Sequence, residues 1–268
     1  MFQNSLASVF TAGLLMTAAA SPIVGRASSA TPPPPVSTPS PEEIQALQQA
    51  LLLAPSQADR QAILLPNPPD ASNYTFTFVN NTVLPPTGGT IALATVDNFP
   101  ALIGTKVASA VGWVNPCGLN TPHLHPRANE LLTVVQGELI GGLILETNPG
   151  GAGNLNGTNP TGPIPQVNAT LSNFRSFLFP QGEVHFQFNP TCEPAVFTAA
   201  FDNSDPGRTQ LARNFFSAFP DDVIIAAAGG DLELLDAARI DQLRDKIPAA
   251  FAELIDSCAK KCGLPTGS

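Results

Sequence analysis

The sequence predicts a mainly β domain, a sandwich or barrel, carried between two helical extensions. Three observations point there. Short β-rich runs recur through the middle of the chain, separated by Gly, Pro and Asn. Helical patterning is concentrated toward the two ends. The composition, 43% hydrophobic and only 12% charged, allows a sizeable core.

Residues 5–20 are apolar and small and precede Ser21-Pro22. They read as a secretory signal over 1–20, with an A-x-A site at Ala18-Ala19-Ala20 and a second cleavage point after Ala30. The run is short of the roughly 20 apolar residues that span a bilayer. The expectation is a secreted chain, in the extracellular region or cell wall, with no membrane association after cleavage. A Pro/Ser-rich linker, 21–40, follows, with Pro32 to Pro35 consecutive. A helical arm over 41–72 comes next. Ser40-Pro41-Glu42-Glu43 supplies an N-cap, a first-turn Pro and a capping-box Glu, so a helix is predicted from Pro41 to Leu53, striped by Ile44, Leu47 and Leu51. Pro55 breaks it, and a second helix is predicted over Ser56 to Leu64.

The β domain is predicted over 73–220. Tyr74 to Val79 alternates at period two, as a strand does. Further strands are predicted at Thr90 to Val96, Val107 to Val114, Glu130 to Val135, Glu138 to Leu145, Arg175 to Phe179, Val184 to Phe188 and Ala195 to Phe201. The Gly/Asn/Pro-rich stretch 149–166 reads as a surface loop. From Asp221 a C-terminal helical extension, 221–268, is predicted. Its helices are Asp221 to Ala228, Asp231 to Ala237, Ile240 to Lys246 and Pro248 to Lys261, with Gly263 as the last C-cap.

A formal net charge of -9 argues against nucleic acid as a partner, because that binding wants a basic face. Four N-x-[ST] sequons, at Asn73, Asn80, Asn156 and Asn168, fit secretion and predict glycosylation. So does the even cysteine count, Cys117, Cys192, Cys258 and Cys262, which allows three pairings.

The chain holds only 3 histidines. His123 and His125 form an H-x-H pair followed by Glu130, and His185 closes Pro180-x-Gly182-x-x-His185-x-x-x-Asn189. Residues i and i+2 of a strand share a face, so His123 and His125 aim together into one interior. Pro126 to Asn129 turns the chain, placing Glu130 at the start of a returning strand. His185 comes from a second hairpin opened by Pro180-Gln181-Gly182. Three imidazoles and one carboxylate suit a divalent Mn, Fe, Co, Ni or Zn ion. They leave it with residual positive charge, which favours an anionic ligand.

Cys117-Gly-Leu-Asn-Thr-Pro-His-Leu-His-Pro-Arg-Ala-Asn-Glu130 followed by Gly137 resembles the first cupin motif, G-x5-H-x-H-x3,4-E-x6-G. Phe179-Pro-Gln-Gly-Glu-Val-His-Phe-Gln-Phe-Asn189 resembles the second, G-x5-P-x-G-x2-H-x3-N. Together, over about residues 40–262, they resemble germins and the spherulin-like proteins. The resemblance implies a single cupin β-barrel of the jelly-roll type. It implies a metal held by His123, His125, Glu130 and His185, commonly manganese, with iron or zinc as alternatives. It also implies homo-oligomers that interlock through the C-terminal helices. Cys117 and Phe174 stand where the two motifs carry turn glycines. If the two motif strands pair, Cys117 and Cys192 lie at one barrel end, and a disulfide between them is expected. Of two asparagines that bind substrate in germin oxalate oxidases, Asn120 matches one, while Ala110 stands at the other position.

Two functions follow from the resemblance. One is a metal-dependent oxidoreductase of the oxalate oxidase or superoxide dismutase type, acting on a small anion or an oxygen species. The other is a non-catalytic extracellular protein of a matrix, spore or cyst wall, with a structural metal.

Overall fold

The computed structural model describes residues 40–65, 71–78, 88–145, 166–252 and 255–264. The expected signal, nearly all of the linker, most of the 149–166 loop and the sequons at Asn80 and Asn156 lie outside them.

The strands are β1 (Gly89–Ala94), β2 (Ala108–Val114), β3 (Leu119–Leu124), β4 (Glu130–Gln136), β5 (Leu139–Ile144), β6 (Gln166–Leu171), β7 (Ser176–Phe179), β8 (Val184–Phe188), β9 (Ala195–Phe201), β10 (Thr209–Gln210) and β11 (Phe251–Ala252). They form two antiparallel sheets. The first runs β1-β2-β9-β4-β7 and the second β10-β3-β8-β5-β6, with β11 also on β3. This is the mainly β, cupin-type architecture that the sequence implies.

Period-two patterning explains the packing. In β2, burial alternates strictly along Ala108, Ala110, Gly112 and Val114. The core joins these to Leu132 and Val134 of β4, Leu139 and Leu143 of β5, and Ala195, Phe197, Ala199 and Phe201 of β9. Gly112 is required for space: a Cβ there would lie 2.2 Å from the Phe197 ring. Ala110, at the family's second asparagine position, is part of this apolar core.

The N-terminal helices follow their local signals. In α1 (Pro41–Leu53), the Ser40 Oγ accepts from Glu43 N at 3.2 Å and the Glu43 carboxylate accepts from Ser40 N at 2.7 Å. In α2 (Gln57–Leu64), Ser56 and Asp59 make the same reciprocal cap. Leu51 and Leu64 are the residues these helices bury.

Three expected elements are corrected. The strand at Tyr74 to Val79 is absent over its described residues: Ser72–Tyr74 is a 3-10 turn and residues 75–78 have no ladder. The alternating aromatics serve a local cluster instead, with Phe76 packed on Phe78 and Phe99. The helix at Asp231 to Ala237 is also absent. The Asp231 carboxylate accepts from the backbone of Glu233 and Leu234, closing a turn, and Asp236 caps α5 (Ala237–Lys246). The helix at Pro248 to Lys261 is divided into β11 and α6 (Asp256–Cys262). The outer edge of β3 needs backbone partners; β10 supplies them at His123 and Leu124, and β11 at Leu119 and Asn120. That long-range pairing overrides local helical preference. Gly263 does end α6, at φ 65°. Two helices complete this region: α3 (Leu211–Ala218), which the sequence reading did not anticipate, and α4 (Asp221–Ala227).

The disulfide pairing is corrected too. Cys117 bonds Cys258, and Cys192 bonds Cys262. Cys117 and Cys192 do meet at one barrel end, since the Cys117 Sγ lies 3.7 Å from the Cys262 Sγ. However, Cys258 and Cys262 sit one turn apart on α6 and face the same way, so the helix gives each barrel cysteine its own partner. Among the described residues, Cys117 and Phe174 are the two non-glycine residues with positive φ, 58° and 63°, consistent with their standing at turn-glycine positions.

Candidate metal centre

His123 lies on β3, His125 just beyond it, Glu130 opens β4, and His185 lies on β8. Pairing of β3 with β8 sets His123 opposite His185. The two connections differ from the expected returning strand and hairpin. β3 and β8 belong to one sheet, β4 and β7 to the other, so each motif crosses between walls. The crossings clasp one another: Gly182 N donates to His125 O at 3.0 Å, Gln181 N to Asn129 Oδ1 at 3.0 Å, and Gln181 Nε2 to Pro126 O at 2.8 Å. Glu130 thus faces the histidines from the opposite wall.

All four side chains are buried, and one ligand atom from each lies within 4.8 Å of the others. The imidazoles are oriented from behind. The Nδ1 of His123 meets Thr121 O at 2.8 Å, that of His125 meets Gly207 O at 2.6 Å, and that of His185 meets Glu183 O at 2.9 Å. A carbonyl only accepts, so each Nδ1 carries a proton and each ring turns its Nε2 inward. Phe179 stacks on His185 with centroids 4.3 Å apart, and Phe201 meets the His125 ring edge-on at 4.8 Å.

The chemistry of this donor set asks for a cation. The Nε2 atoms of His125 and His185 lie 3.0 and 3.1 Å from the same Glu130 Oε2. Lone pairs facing at that distance need positive charge between them, from a proton or a metal ion. Burial by itself would raise the Glu130 carboxyl, but the imidazoles of His125 and His185 outweigh it and hold the group well below the usual carboxylate range. His123 is held well below its ordinary value by burial, by the Arg208 charge and by His185. A neutral His123 is a ready ligand.

Asn120 is buried and lies along β3 from His123. Three residues apart, the two would face opposite ways on a regular strand. A register shift between them puts both inside, and the bulge contains Pro122, which has no N–H to lose. Asn120 donates through Nδ2 to Gln187 Oε1 at 2.6 Å and accepts at Oδ1 from Arg208 Nη2, also 2.6 Å. Sequence reasoning missed Gln187, Gly207 and Arg208. Gln187 carried a usable signal, as it stands two residues after His185 on one strand. Arg208 carried none, because β10 reaches the site only through tertiary pairing.

Of the described sequons, Asn168 is exposed on β6, while Asn73 is half-buried and donates to Leu64 O. Among the described residues no helix is long and apolar enough to cross a membrane.

Comparison with known proteins agrees with this geometry. Residues 78–231 match the cupin family. Spherulin-1A of Physarum polycephalum is 36% identical over 232 residues, covering 86% of this chain and 82% of its own. Germin-like protein 4-1 of Oryza sativa subsp. japonica is 36% identical over 165 residues, covering 60% of this chain and 59% of its own. A solved oxalate oxidase shares the fold at TM-score 0.53 and 23% identity, covering 65% of this chain and 80% of that one. With the paired motifs closing on one buried three-histidine, one-glutamate cluster, the chain belongs to the cupin family, among its spherulin-like and germin-like members.

Proposed function

We propose that this chain is a secreted cupin that holds one divalent ion, manganese first, through His123, His125, Glu130 and His185, and that the centre acts on a small anion or an oxygen species. The observation that carries this reading is the arrangement of three backbone-oriented imidazoles around one buried carboxylate. A bound manganese ion would supply redox chemistry and coordination positions for a small ligand. The protein's own part is to fix the rings through their Nδ1 atoms, to keep Glu130 ionised, and to surround the centre with Phe179 and Phe201. Oxalate oxidation and superoxide dismutation are the activities that the germin resemblance suggests.

A second reading is a non-catalytic wall, spore or cyst protein with a structural metal. It is favoured by the spherulin match, which spans far more of the chain than the germin match, and by Ala110 at the family's second asparagine position.

Elemental analysis of secreted, purified protein tests the centre. The wild type is expected to hold about one manganese per chain, and His123→Ala and His185→Ala to lose it. Full occupancy in both variants would end the proposal. In the same sample, oxalate-dependent peroxide or superoxide dismutation selects the first reading, and stoichiometric metal with neither selects the second. Glycosylation at exposed Asn168 and assembly into homo-oligomers belong to the same proposal. Val223, Leu232, Leu234 and Leu243 leave apolar surface on the C-terminal extension, which supports assembly there. Native mass before and after deglycosylation checks both; an unglycosylated monomer would remove them.

A further inference from the structure

The two disulfides touch. Cys117, just before β3, is bonded to Cys258, and Cys192, in the β8–β9 connection, is bonded to Cys262. The Cys117 Sγ lies 3.7 Å from the Cys262 Sγ of the other bridge, and the Sγ atoms of Cys117, Cys258 and Cys262 all lie within 4.8 Å of one another. A sulfur of one bridge is therefore already in contact with a sulfur of the other. Exposure separates the bridges. Cys117 and Cys258 are buried, Cys262 is half-buried and Cys192 is exposed. A reagent in solution reaches the Cys192–Cys262 bridge, while the Cys117–Cys258 bridge is shielded.

The sulfurs are held together by more than their own bonds. Asn189 N donates to Gly118 O at 2.9 Å and Cys117 N to Thr191 O at 3.3 Å, which ties the chain around Cys117 to the connection that carries Cys192. The Asn189 Nδ2 donates to Val114 O at 3.1 Å and to Glu193 O at 2.8 Å, spanning the same two segments. The start of α6 is anchored independently, where Ile255 N donates to Cys117 O at 3.4 Å. Opening one bridge thus leaves the remaining sulfurs near one another. The Cys258 Sγ also lies 3.9 Å from Asn189 O, an acceptor for a thiol proton.

We infer that the four cysteines form a thiol–disulfide exchange site, in which a small thiol enters at Cys192 and Cys262 relays the exchange to the buried Cys117–Cys258 bridge. The thiolate of the small thiol attacks the exposed Cys192 Sγ. A bond forms between them, and the Cys192–Cys262 bond breaks with its electron pair leaving on Cys262. The Cys262 thiolate attacks the Cys117 Sγ beside it, forming Cys117–Cys262 and breaking Cys117–Cys258. That electron pair leaves on Cys258, which takes a proton from water. A second small thiol then displaces the first from Cys192. Two small thiols are oxidised to one disulfide, the protein gains thiols at Cys192 and Cys258, and one bridge from the barrel to α6 survives. The exchange is independent of the metal centre.

Rapid alkylation and peptide mapping of the full chain test this. Cys192→Ser leaves Cys262 as a standing thiol. Both Cys117–Cys258 and Cys117–Cys262 are expected in it, each at about a tenth of the protein or more, since the two bridges join the same elements and should differ less than about tenfold in stability. Cys117–Cys258 alone, with Cys262 fully alkylated, overturns the inference. Cys262→Ser also lacks the outer bridge but has no relay. Glutathione is expected to open its last bridge at least about 10-fold more slowly than that of Cys192→Ser. Equal rates overturn the relay, because loosening of the barrel end alone would affect both variants alike. If either variant fails to fold, wild type treated with one equivalent of dithiothreitol decides the matter. Its one-bridge species must include Cys117–Cys262, and absence of that pairing overturns the inference.

Discussion

The two inner walls of the barrel differ in kind. The inner face of the first sheet is apolar, built from Ala108, Ala110, Val114, Leu132, Val134, Phe179, Ala195, Phe197, Ala199 and Phe201, with Glu130 its one buried charge. The facing strands β3 and β8 instead present Asn120, His123, His185 and Gln187. The first wall supplies most of the hydrophobic core, joined by Leu139, Leu143 and Leu171 from β5 and β6, and a single carboxylate. The other supplies the nitrogen ligands and the amide network, each held by hydrogen bonds that the first wall cannot offer. Burial of polar groups is tolerated on the second wall because nearly every one is bonded, and the exception, Gln187 Nε2, falls beside the centre.

The division predicts which property each wall loses when altered. The largest effect is expected at Phe197. Truncation to Ala removes a ring that is 1% exposed and leaves a cavity over Gly112, costing about 4 kcal/mol. Denaturant unfolding should read this loss while metal per folded chain stays at the wild-type value. Loss of metal without loss of stability would break the division between the walls. The smallest effect is expected at Phe174, in the β6–β7 turn that links the sheets. It is held at φ 63° and is 81% exposed, so it strains the backbone without packing. Phe174→Gly should stabilise by about 1 kcal/mol and leave metal content untouched. An unchanged or lowered melting temperature would mean that the ring contributes packing after all.

Legibility followed the range of the forces involved. Signals complete within a few residues were readable: the capping boxes of Ser40 and Ser56, the alternation of β8 and β9, and Gly263. The four clustered residues were readable from the two short motifs that carry them, although the chain crosses between sheets where a returning strand and a hairpin were expected. What escaped depended on distant chain. The C-terminal segment contains a strand because the edge of β3 needs partners. The cysteines pair as they do because α6 presents two sulfurs on one face. Arg208 enters the site because β10 joins β3, and Asn120 faces inward only because of a bulge.

The crossed disulfides carry a consequence for how the chain withstands cleavage. Cys117–Cys258 spans 141 residues and Cys192–Cys262 spans 70, and the two loops overlap. All four clustered residues lie between Cys117 and Cys192. A peptide bond cut anywhere in that stretch leaves the upstream piece tied through Cys258 and the downstream piece still attached. A single backbone cut by a protease therefore releases none of the four, and the nicked chain separates into fragments only after reduction.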